Sequence, residues 1–157
     1  MKRSILFITS LLALILAACS GTDVQTPVSQ PASTENASQN QTSPLERQDN
    51  QGAVMVTITP INLDNPGETL DFTVTLETHS VELDMDLPSL STLKTDTGIT
   101  VKGATWNGSS GGHHVEGTLS FPISQDGKPV LQDAKALTLM IQNVDAPERT
   151  FTWDLNE

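Results

Sequence analysis

"LDFTVTLE", Leu70 to Glu77, decides the fold. Leu70, Phe72, Val74 and Leu76 are apolar, while Asp71, Thr73, Thr75 and Glu77 are polar or charged. Successive side chains of an extended chain point to opposite faces, so this segment reads as a strand with one face in a core and the other in water. Just beyond it, Val81, Leu83, Met85 and Leu87 alternate with Glu82, Asp84 and Asp86. The apolar positions have moved from even to odd numbers. A period-two pattern changes parity only through a bulge, a bend or a turn. Thr78-His79-Ser80 is therefore expected to form a corner carrying His79, with a second strand over Val81 to Leu87.

The same alternation extends in both directions. Val54, Val56 and Ile58 alternate with Met55, Thr57 and Thr59, and Pro60 closes that run; Asp64-Asn65-Pro66-Gly67 is a turn signal. Later runs are Ile99 to Trp106, Val115 to Phe121, and Ala136 to Gln142 with Arg149 to Leu155, the last two joined as a closing hairpin through Val144 to Glu148. No window carries a 3.6-residue apolar period longer than two turns. Seven or eight short strands over residues 53–157 predict an all-β domain, an antiparallel immunoglobulin-like sandwich. Its expected core is Phe72, Val74, Leu76, Leu83, Val101, Trp106, Leu119, Phe121, Leu139, Ile141, Phe151 and Trp153.

Two different segments precede that domain. Residues 1–18 have a cationic start at Lys2 and Arg3 and an apolar run from Ile5 to Leu16 broken only by Thr9 and Ser10. Such a run is a secretory leader, too short for a spanning helix of roughly 20 residues. Leu16-Ala17-Ala18-Cys19 resembles the lipobox of bacterial lipoproteins. The resemblance implies that Cys19 is lipidated, that the leader is removed, and that the new amino terminus is acylated. Cys19 is the only cysteine of the chain, so no disulfide is expected despite an oxidising location. Multiple acyl chains would give a stable membrane anchor, on the outer membrane of a Gram-negative cell or otherwise the outer face of the cell membrane. Residues 19–52, rich in Ser, Thr, Gln, Asn and Pro, read as a disordered tether, with a root-mean-square span of roughly 30 Å.

Charge narrows the partners. The chain carries −11 in all, and after loss of Lys2 and Arg3 the six remaining basic residues against nineteen acidic ones give −13. An acidic surface with no basic patch repels phosphate backbones, so nucleic acid is not an expected partner. A metal ion or an envelope protein is.

"WNGSSGGHHVEG", Trp106 to Gly117, is the segment where chemistry is most concentrated. Gly108-Ser109-Ser110-Gly111-Gly112 satisfies the serine-hydrolase pattern G-x-S-x-G, which works only as a strained strand-to-helix turn. The residues that follow alternate like a strand, and a phosphate loop would need a helix and usually a lysine. No nucleophile, base and oxyanion set can be assembled, and no enzyme is expected.

Metal binding stays open. His79, His113 and His114 are the three histidines of the chain, all expected at strand ends, and imidazole is the commonest nitrogen ligand for zinc and copper. Asp84, Asp86 or Glu116 would complete such a set, and Met85 or Met140 would suit a softer copper site, although both are expected in the core. Adjacent strand residues face opposite ways, so His113 and His114 reach one metal only if His113 still belongs to the loop. In the competing reading, His113 is partly buried on the parity of Val115 and Leu119, His114 pairs with a carboxylate, and the acids form a solvated face.

The combination Thr78-His79-Ser80-Val81, Asp84, Asp86, Trp106, Gly111-Gly112-His113-His114, Gly117, Arg149, Phe151 and Trp153 also resembles a group of small uncharacterised secreted bacterial proteins. That resemblance implies one module without assigned chemistry. Two functions are thus expected from the sequence: a lipid-anchored, non-enzymatic domain binding copper or zinc through histidines, or a structural or protein-interaction lipoprotein without a small ligand.

Overall fold

The computed structural model describes residues 43–155; the leader, Cys19 and the tether up to residue 42 lie outside them. The alternating runs become β2 (Val54–Pro60), β3 (Thr69–Thr78), β7 (His114–Pro122), β10 (Ala136–Gln142) and β11 (Glu148–Asp154). Strictly alternating burial along β2, β3, β10 and β11 shows that the apolar half of each pattern faces one core. Shorter strands complete the set: β1 (Arg47–Asp49), β4 (Ser91–Thr95), β5 (Thr100–Lys102), β6 (Thr105–Trp106), and a small ribbon of β8 (Ser124–Gln125) and β9 (Lys128–Pro129).

Two sheets form the sandwich, in the orders β1-β2-β3-β7-β6 and β11-β10-β4-β5. Every described strand pair is antiparallel. The fold is therefore the expected all-β antiparallel sandwich, with nine strands in the two sheets. Leucines, valines and aromatics from both sheets fill one core. Phe72 of β3 meets Phe121 edge-on, with ring centroids 5.7 Å apart, and touches Trp153 of the opposite sheet at 5.5 Å. All the expected core residues are buried except Trp106, which packs on the core margin.

Three expectations need correction. Val81 to Leu87 is not a strand. Leu83 and Leu87 are buried and Val81 and Met85 half-buried, so the alternation is real, but residues 81–86 form an extended crossover from one sheet to the other. It ends in a single helical turn, α1 (Leu87–Leu90). Alternating burial needs only extended backbone beside a core, and ladder pairing is a separate requirement that the pattern does not encode.

Ile99 to Trp106 is likewise two strands. Gly103 donates to the Ser91 carbonyl of one sheet, and Ala104 donates to the Ser120 carbonyl of the other. The chain changes sheet at Gly103, where a Cβ would stand 2.7 Å from the Pro88 backbone. Only glycine permits that approach.

The third correction concerns the domain boundary. The segment expected to be tether up to Gly52 is built into the fold from Ser43. β1 pairs with β2, placing Arg47 opposite Ile58 and Asp49 opposite Val56. The side chain of Leu45 packs on the core, and its carbonyl accepts a 2.6 Å hydrogen bond from Trp153 Nε1. Arg47 Nε donates to the Thr152 carbonyl at 3.1 Å. Residues 45–51 thus form a strap, paired to the edge of one sheet and bonded to the outer strand of the other.

Arg149 holds the other end of the strap. This side chain is fully buried. Its Nε donates to the Val144 carbonyl at 3.0 Å. Nη1 donates to the Asp49 carbonyl at 3.2 Å and pairs with the Asp49 carboxylate, and Nη2 donates to the Gln51 carbonyl. A guanidinium supplies five donors in a fixed fork, which suits one cation satisfying several convergent oxygens. Desolvation pushes the Asp49 carboxyl up, but hydrogen bonds from the Gln51 side chain and backbone and the charge of Arg149 outweigh it, and the group sits below the ordinary carboxylate value.

Candidate functional site

The corner predicted at Thr78-His79-Ser80 is present: β3 ends at Thr78 and the chain bends through exposed His79 and Ser80. Across from it, β6 and β7 form a hairpin whose loop holds residues 107–113. Ser109 and Ser110 lie on this loop between two antiparallel strands, so the G-x-S-x-G sequence is no strand-to-helix elbow.

Backbone bonds dock the loop onto the corner. Thr78 N donates to the His113 carbonyl at 2.9 Å, Leu83 N to the Gly112 carbonyl at 3.1 Å, and Gly111 N to the Leu83 carbonyl at 2.8 Å. Glu82 Oε1 accepts from Gly112 N at 2.6 Å. Gly111 and Gly112 hold φ of 90° and 93°, backbone that glycine adopts without a Cβ penalty. The glycines that suggested catalysis therefore let the loop fold back against residues 78–83.

Further along, two glycines lie face to face. A Cβ on Gly117 would stand 2.5 Å from both N and Cα of Gly108, and one on Gly108 would meet the Trp106 ring at 2.1 Å. Asn107 closes the turn, its Oδ1 accepting from Thr118 N at 2.6 Å. Gly117→Ala should therefore push the loop off β7 and cost about 2 kcal/mol, as overpacking against rigid backbone does. Urea unfolding of the variant beside the native chain measures this; an unchanged midpoint would mean that the loop is not held there.

The result is an open groove of about 620 Å³ at one end of the first sheet, lined by His79, His113 and His114 together with Glu77, Met55 and Val54. All three histidines, two of them remote in sequence from the third, reach one surface. His113 lies on the loop and β7 begins at His114, the placement that both rings reaching one ligand would require. The partly buried position expected for His113 is corrected. Its side chain is exposed, because the loop's docking bonds use its backbone and leave its ring in the groove.

His114 faces outward and pairs with Glu77, with Nδ1 to Oε1 at 3.0 Å. The pairing follows from register, since Glu77 and His114 stand directly opposite each other in the β3–β7 ladder. With Nδ1 donating to the carboxylate, a neutral ring presents its lone pair at Nε2, the arrangement in which a carboxylate orients a metal-binding imidazole.

The other candidates lie elsewhere. Asp84 and Asp86 are exposed on the crossover, and Glu116 is exposed on β7 opposite Thr75; none of the three lines the groove. Met85 packs on the core margin. Met140 is half-buried, between Leu139 and Ile141, which face the core. Glu77 and Met55 are two of the groove residues that the sequence reading missed. The available signal was their parity: both sit on the outward face of strands leading into the corner. Among the described residues, no three His, Cys, Asp or Glu side chains are gathered into a set able to hold a metal ion. The histidines share the groove as separate exposed rings.

No protein-family model matches the chain, and no curated protein matches it. Among solved structures it is similar to a DUF4426 family protein from Pseudomonas aeruginosa PAO1, at 14% identity and a TM-score of 0.40, over 70% of this chain and 92% of that one. It is also similar to MPT63, a secreted protein from Mycobacterium tuberculosis, at 15% identity and a TM-score of 0.39, over 69% of this chain and 91% of that one. At this level the likeness carries no functional conclusion.

Proposed function

We propose that this chain is an exported, lipid-anchored binding domain without catalytic activity, whose working surface is the histidine groove and whose ligand is a copper or zinc ion. The leader and the lipobox-like Leu16-Ala17-Ala18-Cys19 support export and anchoring. One observation carries the binding role: His79, His113 and His114 line a single groove.

The rings are not preassembled, so the site forms as the ion binds. Ordering an exposed side chain costs about 0.5–1.5 kcal/mol, hence about 1.5–4.5 kcal/mol for three. Binding of micromolar strength releases about 8 kcal/mol net. Imidazole–metal bonds stronger than that net figure by the ordering cost suffice, and a moderate affinity is the expected outcome. Such a site would carry and release an ion rather than hold it permanently.

The test is a calorimetric titration of residues 43–157 with Cu(II) and Zn(II), beside a His113→Ala/His114→Ala variant. One-to-one binding of micromolar strength or better, weakened at least a hundredfold in the variant, is the expected result. Equal heats in both proteins, or none in either, would remove the groove as a metal site and leave the domain as a protein-interaction module.

A further inference from the structure

We propose that Asn107-Gly108 is a self-modifying site, at which Gly108 N attacks the Asn107 side-chain carbonyl and water opens the resulting succinimide to aspartate or isoaspartate. Asn107 is the only asparagine of the chain followed by glycine, the residue whose missing Cβ lets its nitrogen approach a neighbouring carbonyl. The pair closes the β6–β7 hairpin at the start of its loop. Asn107 N donates to the Thr118 carbonyl at 3.2 Å, and Asn107 Oδ1 accepts from Thr118 N at 2.6 Å. That N–H polarises the side-chain carbonyl and faces the oxygen on which negative charge develops during attack. Asn107 is exposed, and among the described residues none accepts a hydrogen bond from its Nδ2. The leaving nitrogen therefore departs into solvent.

The bond from Gly108 N to Asn107 Cγ forms as the Cγ–Nδ2 bond breaks, and ammonia leaves with the proton of the Gly108 amide. Water then cleaves one of the two carbon–nitrogen bonds of the ring. Cleavage at Cγ gives aspartate. Cleavage at the main-chain carbonyl gives isoaspartate, whose main chain runs through Cβ and Cγ and is one methylene longer. The surroundings of Gly108 have no room for that methylene. A Cβ on Gly117 would stand 2.5 Å from both N and Cα of Gly108, and a Cβ on Gly108 would meet the Trp106 ring at 2.1 Å and the Glu116 carbonyl at 2.8 Å. Isoaspartate at position 107 thus pushes the loop off β7 and loosens the backbone bonds of Gly111, Gly112 and His113 to Thr78 and Leu83. The loop that carries His113 into the groove is released by a reaction the chain performs on itself.

The test ages the full chain in detergent at mildly alkaline pH and follows it by mass spectrometry. The tryptic peptide 103–135 has Asn107 as its sole asparagine, so the mass gain of amide-to-acid conversion reports this site, and fragmentation separates isoaspartate from aspartate. The expected result is conversion in the folded chain within about tenfold of the rate in the isolated peptide 103–135, mainly to isoaspartate. In the aged fraction, hydrogen exchange at the Thr78, Leu83 and Gly111 amides, which bond between the corner and the loop, should be at least about tenfold faster than in fresh protein. Exchange in Asn107→Ser, aged identically, should stay as it was before incubation. A folded chain that converts more than about tenfold more slowly than the peptide would overturn the proposal, because the docked loop then protects the site. Conversion with unaltered exchange at those three amides would overturn the release of the loop.

Discussion

A chain beginning at Ala53 should melt at least about 15 °C below one beginning at Ser43. The loss comes from residues that composition assigns to a tether. Removing residues 43–52 strips β1 from β2 and uncovers the edge of the first sheet. It takes the Leu45 carbonyl from Trp153 Nε1 and the Leu45 side chain from the core margin. It also leaves the buried Arg149 guanidinium with the Val144 carbonyl as its sole remaining partner among those described above. A buried charge deprived of its partners costs about 3–5 kcal/mol, a large share of the 5–15 kcal/mol that typically holds a domain together. At about 3–5 °C per kcal/mol for a domain of this size, the shift exceeds experimental scatter severalfold. Calorimetric melting of the two chains decides the matter. Equal transitions would mean that the strap is an ornament on an otherwise complete sandwich.

Arg149→Met should cost about 3 kcal/mol and lower the melting temperature by about 10 °C. Methionine fills part of the volume but leaves the Val144, Asp49 and Gln51 carbonyls without the guanidinium donor and the Asp49 carboxylate without its cation. Arg149→Lys should recover only part of the loss, since one ammonium cannot span four separate acceptors. The same pair makes stability depend on acid. Asp49 is held below its ordinary value in the folded chain, so its contribution is complete above the unfolded value of about 4 and is lost as pH falls through the lower folded one. Stability of the native chain should therefore drop as pH falls below about 4 more steeply than that of Asp49→Asn. Parallel acid profiles would detach Asp49 from the stability of the strap.

The division between what the sequence revealed and what it concealed follows from the range of each interaction. β2, β3, β7, β10 and β11 were legible because their alternation is local and each side chain's face is set by its own position. The corner at His79 was legible for the same reason, as a change of parity. β1 was concealed because Arg47-Gln48-Asp49 is polar throughout. Its place is fixed by Arg149 and Trp153, about a hundred residues away, through backbone carbonyls that no side-chain pattern records. Gln51 looks like linker because it bonds to nearby Asp49 and, through its main-chain carbonyl, to Arg149.

The groove was partly legible in the same sense. Three histidines at strand ends could be named, and the requirement that His113 remain in the loop could be stated. What fulfils that requirement is a set of backbone bonds from residues 78–83 to residues 111–113, together with the Glu82 carboxylate on Gly112. Glu77 and Met55 escaped notice because a single outward residue on a strand is ordinary; only the register across β2, β3 and β7 brings them beside His114. The acids chosen from the sequence, Asp84 and Asp86, were conspicuous through their spacing, and the crossover carries them away from the groove.

The most direct test of the groove as a binding site is a Zn(II) titration of residues 43–157 followed through the histidine imidazole resonances by NMR. Zinc is diamagnetic, so each ring reports separately. The account predicts that His79, His113 and His114 shift together and saturate at one equivalent of zinc. Rings that stay unshifted, or a single ring responding without saturation, would contradict it.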